Sequence, residues 1–294
     1  GIKVNLLKAS SVQLIKRIEK EGKYTKADVL LTTDVGMLEL ARSKGIFQST
    51  KSDFLDKTIP NYLKDKDNLW FALTKRARVI AYNIDEVKPS ELSTYENLVN
   101  KKWKDRLVVT KATEVYNQSL VASIIVNDGK KEAELWASGI KKNMARKPRG
   151  IDKDSLRAIA SGIGDVAIVN TYYIGQMMRG RSFSDQATSE MIGVFFPNQK
   201  EGQRGTHINV SGAGVVKHSK NKDNAVKFIE FLASVKSQEL FAKVNFEYPV
   251  NPNAKTSELL QSWGTFKEDK TSLYKVGKEN IPAVMLLNQV GWDK

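Results

Sequence analysis

The stretch LWFALTKRARVIAYN, residues 69–83, does most to limit what this chain can fold into. It is rich in β-branched and aromatic residues and far longer than the roughly 5–6 residues of an ordinary strand. A run of that length can leave one sheet and enter another. A second β-rich run, HINVSGAGVVK at 207–217, can carry the chain back. Around these two runs, strand and helix patterns alternate. Residues 11–22 place Leu14, Ile15 and Ile18 on one helical face, ADVLLTT (27–33) reads as a short buried strand, and GMLELARSKG (36–45) returns to helix. The alternation resumes with RLVVT (106–110) before a helix at 114–129, and with DVAIV (165–169) before a helix opening at TYYIG. Such alternation predicts a parallel, wound sheet. The expected fold is α/β, two lobes joined by crossing β-strands: a discontinuous first lobe (1–79 and 209–253), a second lobe inserted in it (80–208), and a helical tail (254–294) packing across both. The opening GIKVNLL alternates Ile2, Val4 and Leu6 and reads as a strand already under way.

Composition removes several chemistries. There is no cysteine, so disulfides, thiolate nucleophiles and cysteine metal sites are excluded. His207 and His218 are the only histidines, too few for a multi-histidine metal site. No G-x-S-x-G, P-loop or H-E-x-x-H motif is present, and no enzymatic activity is expected. No window approaches the roughly 20 apolar residues of a membrane span. The formal charge of +14 favours an anionic partner, but basic and acidic residues are mostly interleaved. The one dense basic run, IKKNMARKPRG (140–150), is expected to be a solvated surface turn.

Oxygen donors remain. In open α/β sheets, ligands bind beyond the carboxyl ends of strands, where the next helix offers free N–H groups and a positive dipole end. Tyr116 falls in the first turn of the helix after RLVVT, and Tyr172 and Tyr173 open the helix after DVAIV. If the two strands are neighbours, all three tyrosines face one crevice. A phenol with a pKa of about 10 becomes a ligand only when a hard, highly charged cation displaces its proton, which suits ferric iron. Calcium or magnesium would call for clustered carboxylates, and none adjoins these tyrosines. Taken singly, each tyrosine is ordinary helix packing; the co-location points to a metal. Arg76 and Arg78 lie on the long stretch that could pass this crevice.

The segments GIKVNLL, ADVLLTTDVG, VYNQSLVASII, SLRAIASGIGDVAIVNTYYIGQMM, GTHINVSGAGVVKHSKNKDNAVKFIEFL and EYPVNPNA, in this order, resemble the ferric-ion-binding periplasmic proteins of ABC iron importers, the FbpA and FutA type. The resemblance implies a bilobal periplasmic-binding-protein fold of the second type, closing on iron like jaws. It places the iron tyrosinates on Tyr116, Tyr172 and Tyr173 and puts Arg76 beside the metal. Asn117 and Ser119 would hydrogen-bond a synergistic anion or water, and Gln176 stands where some relatives carry arginine. It further implies a periplasmic monomer that docks peripherally on an ABC transporter permease, delivers ferric iron to it, and binds no nucleic acid. The family pattern begins with a further strand and a His-Tyr loop ahead of the segment matching GIKVNLL. The expectation is that this sequence is a trimmed portion of a longer mature protein, with the remaining ligands in the preceding residues. Two other readings stay open. One is a receptor of the same fold for an anion or ferric chelate, gripped by Arg76 and helix N-termini. The other is a basic nucleic-acid-binding protein, suggested by the net charge.

Overall fold

The computed structural model describes residues 1–294. In chain order its elements are α1 (Ser11–Glu21), β1 (Val29–Thr33), α2 (Val35–Ser43), α3 (Asp53–Thr58), β2 (Phe71–Asn83), β3 (Leu107–Val108), α4 (Val115–Asp128), α5 (Lys130–Lys142), α6 (Asp152–Ala160) and β4 (Val166–Asn170). There follow α7 (Thr171–Arg179), α8 (Phe183–Glu190), β5 (Ile192–Phe195), β6 (Ile208–Val215), α9 (Lys222–Ala233), α10 (Val235–Asn245), β7 (Tyr248–Pro249), α11 (Glu258–Ser262), α12 (Leu273–Lys278) and α13 (Asn280–Gln289).

β2 is the shared strand. From Phe71 to Ala77 it pairs with β6, and Thr74 and Lys75 also face β7; from Arg78 to Tyr82 it pairs with β4, and from Ile80 to Asn83 with β5. One continuous strand thus belongs to two groups of strands, in the order β1-β6-β2-β4-β3. Every β2 residue except Lys75 is buried, as a strand covered on both faces requires. The long stretch crosses between two α/β lobes, as its length suggests.

Two expectations about strands change. Only β3 and β4 pair in parallel; β2 runs antiparallel to each of its neighbours, and β1 antiparallel to β6. Apolar periodicity locates strands but carries no information on the direction of a strand that returns from another lobe. Nor does residues 1–10 form a strand: no neighbouring strand pairs with them, and Ile2, Val4 and Leu6 are exposed. Alternation provides a face, but a strand also needs a backbone partner. The first regular element is α1, closed by a capping box between Ser10 and Gln13 and held by buried Ile15 and Ile18.

The larger core includes Ile15, Leu38, Phe71, Trp103, Trp136 and Trp292. A smaller one joins Val79, Leu156, Val169, Ile174 and Met177 beneath α6 and α7. The C-terminal helices pack against elements far apart in sequence, α12 on α2 and α4, and α13 on α4 and α5. The basic run is more than a solvated turn. Asn143 is buried and donates to the carbonyls of Leu98 and Asn100, and Met144 bridges to Leu107. No helix is long and apolar enough to cross a membrane.

His207 sits at the crossing, buried, its N–H donating to Tyr95 Oη and its carbonyl accepting from Arg78 N–H. Burial, reinforced by Arg78, Arg204 and Arg76, depresses its imidazole to about 3. In the unfolded chain the imidazole protonates near 6.5, roughly the unperturbed value. Between these values the unfolded state binds a proton that the fold refuses. Stability therefore falls as pH drops from about 6.5 toward 3, by about 1.4 kcal/mol per unit for this group. His207→Gln should flatten the acid limb of a urea stability curve relative to the wild type, and parallel curves would refute the assignment.

Candidate metal centre

β3 and β4 are parallel neighbours, so the helices that follow them start at the same end of the sheet. Tyr116 is the second residue of α4; Tyr172 and Tyr173 are the second and third of α7. Each lies in a first turn, where backbone N–H groups lack intrahelical acceptors and the dipole favours negative charge. The three rings meet. Tyr172 and Tyr173 lie 4.2 Å apart between centroids, and Tyr116 stands edge-on to both at 6.5 and 6.4 Å. Tyr172 Oη donates to Tyr116 Oη at 2.9 Å. Burial, then the neighbouring phenols, pushes the Tyr172 hydroxyl far above its ordinary value; burial raises Tyr173 to about 12. Without a cation the Tyr172 and Tyr173 phenols stay protonated at neutral pH.

Tyr116, Tyr172 and Gln176 line a cavity of about 320 Å³ whose other wall includes Thr33, Arg76, Ser211 and Glu247. Tyr173 is not part of its lining; its ring lies tilted against that of Tyr172, at an interplanar angle of 34°. No cluster of three or more His, Cys, Asp or Glu side chains exists that could hold a metal, so the phenols are the concentrated hard donors. Gly175 lets the walls approach: a Cβ there would stand 2.7 Å from the ring of Phe246, the residue before Glu247.

Arg76 is buried and has its guanidinium carbon 5.2 Å from the Tyr116 ring centroid. One Nη donates to Ser211 Oγ at 3.2 Å and lies 3.5 Å from Glu247 Oε1, while Nε and the other Nη have no partner. Burial opposes its charge, but Glu247, Tyr116 and Asp34 outweigh it and hold the pKa above the ordinary value. Asn117 and Ser119 turn elsewhere. Asn117 Oδ1 accepts from Arg78, and its amide donates to Thr110 and Lys111; Ser119 Oγ donates to Asp34, at 2.8 and 2.9 Å to its two oxygens. Glu247, unforeseen from sequence, is the carboxylate facing Arg76. It also accepts from Thr74 at 2.9 Å.

Residues 24–267 match the family model described as bacterial extracellular solute-binding protein. The chain belongs to that family. Among relatives of this solute-binding protein, iron uptake protein A1 of Synechocystis sp. is 48% identical over 99% of this chain and 81% of its own length. The major ferric iron-binding protein of Neisseria meningitidis is 30% identical over 99% of this chain and 86% of its own. The solved FutA (IdiA) of Trichodesmium, in complex with iron and citrate, superposes with a TM-score of 0.96 at 45% identity, covering 99% of this chain and 91% of that one. The fold is the bilobal type II periplasmic-binding-protein fold.

In this solute-binding protein one buried guanidinium ties both tyrosine helices together. Arg78 donates to Asn117 on α4 and to Asp152 Oδ2 at the start of α6; the same oxygen accepts from the backbone N–H of Asn170, the cap of α7, at 2.8 Å. Asp152 is buried with its partner. Removing one member of such a pair leaves an uncompensated charge in the interior, a cost of about 3–5 kcal/mol. Asp152→Ala should lower unfolding stability by about that amount in a denaturant titration, whereas Asp154→Ala, at the half-exposed neighbouring acid, should cost about 1 kcal/mol.

Proposed function

We propose that this protein is the substrate-binding component of an iron importer, taking up ferric iron through the phenolates of Tyr116, Tyr172 and Tyr173 and passing it to an ABC transporter permease. The convergence of three first-turn phenols beside a buried, partly unpartnered arginine carries the reading. The iron named for the Synechocystis and Neisseria relatives and for the Trichodesmium structure supports it. The protein works in the periplasm as a monomer and performs no turnover. Its lobes are residues 1–79 with 209–253, and 80–208, with 254–294 as the helical tail.

Charge balance favours the ferric ion. Three protons leave the phenols as one trivalent cation enters, so the buried site gains no net charge. A divalent ion would leave one negative charge uncompensated, and buried charge is expensive. Glu247 offsets Arg76 in both states. Gln176, one turn after Tyr172, adds a neutral amide to the same cavity. Asn117 and Ser119 hold the helix that bears Tyr116 through Arg78 and Asp34.

The free nitrogens of Arg76 favour a carboxylate bound together with the iron, as in a ferric chelate such as ferric citrate. An anion receptor without iron is the second reading; it would be stabilised thermally by citrate alone, irrespective of the tyrosines. Titration of the protein with ferric citrate should develop a visible tyrosinate-to-iron charge-transfer band, strongly weakened in Tyr172→Phe. A colourless titration overturns the proposal. Because protons compete with iron for the phenols, affinity should fall on acidification, and each Tyr→Phe exchange should lower the proton stoichiometry of loading by about one.

A further inference from the structure

Six residues, 109–114, connect β3 to α4, and their polar backbone is held from two directions. From α4 itself, Asn117 Nδ2 donates to the Thr110 carbonyl at 2.9 Å and Gln118 Nε2 to the Ala112 carbonyl at 2.9 Å. From the far end of the chain, Trp292 Nε1–H donates to the same Thr110 carbonyl at 3.0 Å, and Asp293 Oδ1 accepts the Ala112 N–H at 2.9 Å. Trp292 is itself buried and stacked on Trp136 of α5 at 6.2 Å. Lys141, near the end of α5, donates to the Val290 carbonyl at 3.1 Å.

The bonds from α4 tie the connection only to the helix it precedes and would move with it. Those from Trp292 and Asp293 fix it to the packed core. Tyr116 lies four positions beyond Ala112, so the depth at which its hydroxyl meets Tyr172 depends on where this connection is pinned. We infer that Trp292 and Asp293 are positioning residues for Tyr116, setting the donor geometry of the iron site from the end of the chain. This rests on the reading of Tyr116 as an iron donor.

A double-mutant cycle on the full chain tests it, with ferric affinity measured by competition and the charge-transfer band recorded beside it. Asp293→Ala, and separately Trp292→Phe, which keeps the stack but removes the N–H, should weaken ferric binding about tenfold and shift the band. Asp293→Asn, which keeps an acceptor oxygen, should restore binding to within about twofold. In a Tyr116→Phe background the effect of Asp293→Ala should shrink below about twofold, while in a Tyr173→Phe background it should persist, because only coupled sites depart from additivity. Equal effects of Asp293→Ala in all backgrounds would reduce the pair to a general structural role and overturn the inference. If Tyr116→Phe leaves the wild-type band and affinity unchanged, the donor assignment itself fails, a result separable from the first.

Discussion

The arrangement hangs on the buried Arg78 guanidinium. A charge with 1% exposure is tolerable only if it is paired and hydrogen-bonded; its two terminal nitrogens find Asp152 and Asn117, while Nε has no partner. Because Asp152 also accepts the Asn170 N–H, the need to satisfy one arginine fixes the relative positions of the starts of α4, α6 and α7. The tyrosines are carried on two of those starts. Their meeting therefore rests on electrostatics in the interior, and the pinned connection ahead of Tyr116 sets the finer position of that ring.

Arg76 and Arg78 stand two residues apart on β2 and so share a face, yet they are used differently. Arg78 is engaged with a carboxylate and an amide, and serves as a brace. Arg76 keeps two nitrogens without partners and looks into the cavity, where Glu247 and the phenols surround it. An unpaired buried donor costs free energy on the order of 1–3 kcal/mol, a cost that a bound anionic group would relieve. Placing one committed and one open arginine side by side gives the site rigidity and affinity for anionic oxygen from a single strand.

Much of this was legible in sequence for a physical reason: a buried crossing strand must be long and apolar, and a helix start after a strand is a local pattern. Tyr116, Tyr172 and Tyr173 could be read as neighbours because their strands are adjacent. Strand direction was not legible, since β2, β6 and their partners acquire it from tertiary return paths. The alternation of Ile2, Val4 and Leu6 misled because it describes a side-chain face without its backbone partner. Asn117 follows Tyr116 directly and so points about 100° away from it, while Ser119, three residues on, is drawn to a buried carboxylate. Adjacency there placed them on Arg78 and Asp34 instead of in the cavity. Glu247 lay in a Pro and Asn break, and only the pairing of β7 with Thr74 and Lys75 of β2 brings it opposite Arg76.

The two walls of the cavity carry unequal burdens. All three phenols come from the α4 and α7 starts, where their rings meet. The opposite wall contributes Arg76, Glu247 and small polar groups, and it meets α7 through the close contact of Gly175 with Phe246. That contact ties Glu247 to the tyrosine helix through its adjacent residue. Any separation of the walls that breaks the Gly175–Phe246 contact would carry Glu247 and Arg76 together away from the phenols, so the charge pair stays whole while the donor set loses its facing wall.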